Sequence, residues 1–183
     1  MRQLYLDTSV ILARYAPTDE FHRSSKTIIG CVEDGSYTAA TSVFTLVEVS
    51  SVISRSWEKF RAVRKLSKDE VVAGYLGRIA SIKNLAFIPA GGEGVLKVGG
   101  VEVLIPLLFE IALDISMETS ARTLDNIHLA SAIMCADVFK RKVDFFITGD
   151  KDLLKKRAAI KDVVKASIVS PREFVRVEGL GQI

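Results

Sequence analysis

The chain has 183 residues, 49% apolar and 26% charged, with a net charge of +3 and a pI near 8.9. That length and apolar share favour one domain spanning 1–183 with a substantial core, and the charged share is that of a soluble globular protein. The mild basic balance admits an anionic partner without requiring one, and no apolar run reaches the roughly 18 residues of a membrane span. The N-terminus enters a strand-like segment directly instead of a secretory signal, so a cytoplasmic protein without a membrane association is expected. Cys31 and Cys135 lie far apart in apolar or helical context and read as reduced core residues.

In chain order, QLYLD (3–7) reads as a short buried strand, followed by the helix TSVILARYA with Thr8 or Ser9 placed to cap it. Pro17 ends that helix, and residues 19–35 form a second, capped by Asp19 and closed by Gly35. YTAAT (37–41) is a strand. A helical period then runs from Ser42 to Lys65, and helix restarts at Ser67 with Glu70 completing a capping box. LAFIPA (85–90) is another strand. Residues 91–104 alternate on both sides of Gly99-Gly100, the pattern of a β-hairpin inserted outside the central sheet.

Pro106 suits the first turn of the next helix, PLLFEIALDISME. Residues 124–142 are apolar nearly all round, so this long helix should be buried. VDFFITG (143–149), a helix from Asp150, and the strand ASIVSP (166–171) complete the pattern. Strands alternating with helices predict an α/β fold: a three-layer sandwich around a mostly parallel central sheet.

Sites on such sheets form beyond the carboxyl ends of the strands. Asp7 ends the first strand and Asp150 follows the 143–149 strand, so both belong to that edge. Asp125 opens the buried helix, and Glu48 lies in FTLVEVSSVI, early in the helix after the second strand. Taken singly, Asp125 is a helix cap and Asp150 a turn or cap residue. Asp7 is less easily explained, because Asp is depleted in strands. A carboxylate among apolar neighbours, as at Glu48, needs a partner. Two carboxylates about 5 Å apart repel by ~3 kcal/mol at an effective dielectric near 20, and a divalent cation removes that penalty. Hard oxygen donors without His or Cys favour Mg²⁺ or Mn²⁺ over Zn²⁺. Such a centre can activate water against a phosphodiester.

The blocks LYLDTSVILARY, FTLVEVSSVI, RTLDNIHLASA and FFITGDKDLL, in this order, resemble the four signature segments of PIN-domain proteins, especially the VapC-type toxins. The resemblance covers nearly the whole chain, which is longer than compact family members chiefly around 60–104. It implies a PIN-like fold and a metal-dependent ribonuclease that cleaves RNA. Asp7, Glu48, Asp125 and Asp150 would be its catalytic, Mg²⁺- or Mn²⁺-ligating acids. Thr8, Ser9 and Thr148 match the supporting hydroxyl residues. The resemblance also implies a small antitoxin protein as partner, as in type II toxin–antitoxin pairs, and a homodimer.

Several residues keep two readings. Asp152 is either a helix-start charge or a second acid beside the metal, and Lys151 meets substrate phosphate or is solvated. His128 is a hydrogen-bonded core histidine or orients a ligand, and His22 sits on a solvated helix face. Arg55, Lys59, Arg61, Arg64 and Lys65, interleaved with Trp57 and Phe60, form either a wet helix face or an RNA grip in which Arg55 touches substrate. Lys151, Lys155, Lys156 and Arg157 form a second basic cluster. Two rival functions stand beside the nuclease. One is an RNA-binding or scaffold PIN-like protein with weak or no nuclease activity. The other is a phosphotransferase using Asp7 as nucleophile, which ranks low because Ser9 stands where a second acid or Thr is expected.

Overall fold

The computed structural model describes residues 1–60, 65–140 and 142–181. Its elements are β1 (Gln3–Leu6), α1 (Thr8–Ala13), α2 (His22–Glu33), β2 (Thr38–Ser42), α3 (Phe44–Arg55), α4 (Trp57–Phe60), α5 (Lys68–Ala80) and β3 (Leu85–Ile88). They continue with β4 (Glu93–Val98), β5 (Val101–Pro106), α6 (Leu107–Thr119), α7 (Thr123–Phe139), β6 (Phe145–Ile147), α8 (Lys151–Lys155), α9 (Arg157–Val164), β7 (Ser167–Val169) and α10 (Pro171–Val177).

Five strands form one parallel sheet in the order β3-β2-β1-β6-β7. Strand side chains alternate between its faces, and each face buries its own core. Tyr5, Ala40, Ile88, Phe146 and Ile168 point to the side covered by α6, α7 and α9. Leu4, Leu6, Ala39, Leu85 and Ile147 point to the side covered by α1, α2, α3, α5 and α10. The result is the three-layer α/β sandwich that the alternating pattern predicts. In the middle of the sheet, Tyr5 and Phe146 are register partners whose rings stack 5.0 Å apart.

The hairpin is also found: β4 and β5 pair antiparallel and turn at Gly99-Gly100, outside the main sheet. Both glycines have positive φ, 57° and 80°, which a two-residue turn of this kind demands and a Cβ disfavours. Pro106 closes β5 and caps α6 instead of lying inside its first turn.

Local chemistry departs from expectation at two more helix starts and at one break within a helix. Asp7 is the N-cap of α1, so Thr8 and Ser9 fall inside the helix and their hydroxyls are free for other bonds. Helix α2 begins only at His22, because Asp19 spends its carboxylate on the Phe21 N–H in a local turn. The single helix expected from Ser42 to Lys65 breaks at Ser56, whose φ of −131° is not helical. The Ser67–Glu70 capping box is present as expected. Arg61 and Arg64 of the basic stretch lie outside the described residues. The segment after Asp150 is two short helices, α8 and α9, and α10 has no counterpart in the expected pattern; its Ser170–Glu173 capping box and Pro171 are the signals that mark it.

Candidate active site at the carboxyl edge of the sheet

Leu6 pairs with Ile147, so Asp7 and the Thr148–Asp150 segment leave neighbouring strands at the same level. The Asp7 N–H donates to the Ile147 carbonyl, which carries the sheet ladder up to the site. Asp7 is 8% exposed, and its Oδ2 accepts from Ser9 Oγ at 2.6 Å and Thr148 Oγ1 at 2.7 Å. Ser9 Oγ in turn accepts from the Gly149 N–H, and Thr148 Oγ1 from the Asp150 N–H. The two hydroxyls that the sequence places beside Asp7 and Asp150 therefore tie those two segments together. Gly149 is required for the same closeness: a Cβ there would lie 3.1 Å from the Phe21 ring and 3.4 Å from Ser9 Oγ.

Asp150 caps α8, its Oδ1 accepting from the Asp152 and Leu153 N–H groups. Asp125 sits in the first turn of α7 and accepts from the Arg122 N–H. Burial raises its pKa above the ordinary carboxylate value, and the charges of Asp150 and Asp7 raise it further, against a smaller pull from Arg122. Asp7, Asp125 and Asp150 thus share one negative field.

Glu48 is arranged differently. It is half-buried in the second turn of α3, and His128 Nε2 lies 2.6 Å from its Oε2, which also accepts from Thr8 Oγ1. Burial opposes the Glu48 charge, but the bonds from His128 and Thr8 prevail and lower its pKa. Burial likewise opposes the His128 cation. The bond to Glu48 and the charges of Asp7, Glu48 and Asp125 outweigh it, and the imidazole pKa is raised. His128 Nδ1 is 2.9 Å from Tyr5 Oη, and Nε2 is 3.8 Å from Asp7 Oδ1.

The four acids therefore all reach this edge, but they divide: Asp125 faces the charges of Asp150 and Asp7, and Glu48 is paired with His128. The hydrogen-bonded core reading of His128 is right, and it understates the residue, because His128 joins Glu48 to Asp7. The signal available in the sequence is its spacing of three from Asp125 on one helix, which puts both on the same face.

The remaining candidates lie around this centre. Asp152 is exposed at the helix start and pairs with Arg122 at 2.9 Å and Lys155 at 3.2 Å. Lys151 pairs with Glu20 at 3.1 Å. Arg55 is exposed in the last turn of α3, two turns beyond Glu48 and about 10 Å further along the helix axis. Among the described residues, no three His, Cys, Asp or Glu side chains are grouped tightly enough to hold a metal ion by themselves. No described helix is long and apolar enough to cross a membrane.

No known family model matches the sequence, and no curated protein matches it. Among solved structures, the chain is similar to one in the crystal structure of VapBC2 from Rickettsia felis bound to a DNA fragment from their promoter. The TM-score is 0.55 at 13% identity, over 92% of this chain and 98% of that one. At that identity the likeness shows a shared fold.

Proposed function

We propose that the chain is a Mg²⁺- or Mn²⁺-dependent endoribonuclease and the toxin of a type II toxin–antitoxin pair. The observation that carries this reading is the placement of Asp7 and Asp150 on segments tied together by Ser9 and Thr148 at the sheet's carboxyl edge, within electrostatic reach of Asp125, whose pKa is raised by burial and then by those two charges. A half-buried carboxyl facing two further carboxylates is a poor solution for stability alone and a good one for a cation. The donor set is all hard oxygen, and the one nearby imidazole is already engaged by Glu48. Mg²⁺ keeps several of its waters and uses one or two carboxylates, so an open group of acids fits it without a closed protein cage. Asp7, Asp125 and Asp150 would hold it, with Glu48 completing the acidic wall. When bound, such a cation supplies activation of water and neutralisation of charge at the phosphate.

The chain's own residues prepare that site. Ser9 and Thr148 both donate to Asp7 Oδ2, which fixes the carboxylate plane. Thr8 and His128 orient Glu48, and Tyr5 orients His128 from below. The resemblance of the four sequence blocks to VapC-type toxins supports RNA as substrate, a small antitoxin as partner and a homodimer. The fold likeness to a chain of a VapBC complex is consistent with that partner.

A second reading is an RNA-binding protein with weak or no nuclease activity. It is favoured by the absence, among the described residues, of a three-ligand group. Incubation of the pure protein with RNA in Mn²⁺ and in EDTA separates the two. The nuclease reading expects cleavage in Mn²⁺ that EDTA stops and that Asp7→Asn removes without unfolding. RNA binding with no cleavage in Mn²⁺ would establish the second reading.

A further inference from the structure

Beside the acids, on the far side of α8, lies a cavity of about 430 Å³ lined by Phe21, Lys151, Arg157, Arg172 and Arg176. That volume is in the range of ligand clefts. Two acids also line it, Glu20 and Glu173. They set the positions of the cations without cancelling them. Glu20 receives Lys151 at 3.1 Å, its carbonyl receives Arg172 at 2.7 Å, and Glu173 receives Arg157 at 3.0 Å. Four cations against two acids leave a positive surplus. The cationic side chains are more than half exposed, at 74% for Lys151, 53% for Arg157 and 60% for Arg172, so they meet a ligand without first leaving a buried partner.

The cavity is joined to the acidic edge by contact as well as by sequence. Lys151 directly follows Asp150, and the Phe21 ring packs against the Gly149 backbone that precedes it. The Arg172 guanidinium lies over the Phe21 ring at 5.5 Å. A guanidinium plane stacked on an aromatic ring is a surface on which an unpaired base can lie. The other basic groups near the edge pair away from this cavity: Arg122 and Lys155 pair with Asp152, and Lys156 donates to the Ser120 carbonyl.

We propose that this cavity holds a nucleotide flanking the scissile bond of a single-stranded RNA, with its phosphates on Lys151, Arg157 and Arg172 and its base against the Arg172–Phe21 stack. Its place beside a scissile bond rests on the proposed nuclease function, and its binding of RNA rests on the cavity alone. Single strands are required because a base within a duplex is already stacked and cannot reach such a platform.

The test is fluorescence anisotropy of a labelled single-stranded oligoribonucleotide with the full chain in EDTA, where cleavage is stopped and binding is read alone. Arg172→Ala and Arg157→Ala should each weaken binding and reduce the slope of log affinity against log salt by about 0.7 for every phosphate left without its cation. Phe21→Leu, which keeps an apolar side chain against Gly149, should weaken binding roughly tenfold. Lys83→Ala, the same removal of charge at the opposite edge of the sheet, should leave affinity and slope unchanged. Unchanged affinity and slope in both arginine variants would overturn the proposal, as would duplex RNA bound as tightly as single strands, or no binding by the wild type. If those variants bind normally while Mn²⁺-dependent cleavage persists, the cavity is wrong and the nuclease stands. If binding depends on the cavity but nothing is cut in Mn²⁺, the cavity stands and the nuclease fails.

Discussion

On one side of Asp7, Glu48 accepts from Thr8 and His128, and each partner's charge favours the other's. On the other side, Asp125 and Asp150 are met by main-chain N–H groups, and burial and then the Asp150 charge raise the pKa of Asp125. The same residue type at one edge of one sheet thus serves two ends. The Glu48–His128 side is satisfied by its own hydrogen bonds. The Asp125–Asp150 side carries a field that a cation would relieve. The difference teaches that a count of acids is not a count of equivalent ligands, and it orders what substitutions should do.

The largest effect should come from the residue shared by both sides. Asp7→Asn should lower Mn²⁺-dependent RNA cleavage by about two to three decades, since several kcal/mol of charge stabilisation are at stake and each ~1.4 kcal/mol is tenfold. Asparagine keeps an oxygen for Ser9 and Thr148, so circular dichroism should show a folded protein. Wild-type cleavage by this variant would remove Asp7 from the chemistry.

Next comes the satisfied side. His128→Ala strips Glu48 of its charged donor and Tyr5 of its partner, and should cost about 3 kcal/mol or more in urea unfolding. Glu48→Gln should cost about 1.5–3 kcal/mol. Little change in either variant would mean that this pair does not stabilise the fold, and the contrast between the sides would collapse.

The unrelieved side should respond with the opposite sign. In EDTA, Asp125→Asn should unfold at an equal or higher urea midpoint than the wild type, by on the order of 1 kcal/mol or less for so accessible a group. The amide retains an acceptor for the Arg122 N–H while removing the repulsion from Asp150 and Asp7. A clear drop in stability would show that Asp125 is an ordinary helix-start charge.

The smallest effect is the dependence on pH. The folded pKa of His128 is raised, so its contribution is fully present below its unfolded value, about 6.5, and is lost as pH rises through the folded one. Melting in EDTA should therefore decline from about pH 6.5 upward in the wild type, and the decline should be shallower in His128→Asn. Parallel curves for the two proteins would refute the charged pair.

Much of this is legible in one dimension. Period-2 and period-3.6 patterns mark the strands and helices, because burial on two faces of a parallel sheet leaves short apolar runs between amphipathic segments. Gly99-Gly100 announces the hairpin, since only residues free of Cβ strain turn that way easily. The acids are legible as misplaced charges: Asp7 at a strand end and Glu48 among apolar neighbours each ask for a partner.

Helix starts are less legible, because Asp, Ser and Thr can cap, turn or bond elsewhere, and the choice depends on neighbours distant in sequence. Thr8 and Ser9 illustrate this, one serving Glu48 and the other Asp7 and Gly149.

The sequence by itself determined the sandwich, the hairpin and the edge to which the four acids belong, since those follow from local periodicity and strand direction. Only the tertiary structure decided that Glu48 faces His128 while Asp125 faces Asp150, and that Phe21, Arg157 and Arg172 meet in one cavity. Electrostatic coupling depends on separations of a few ångströms between residues tens of positions apart, and spacing along the chain does not encode those separations.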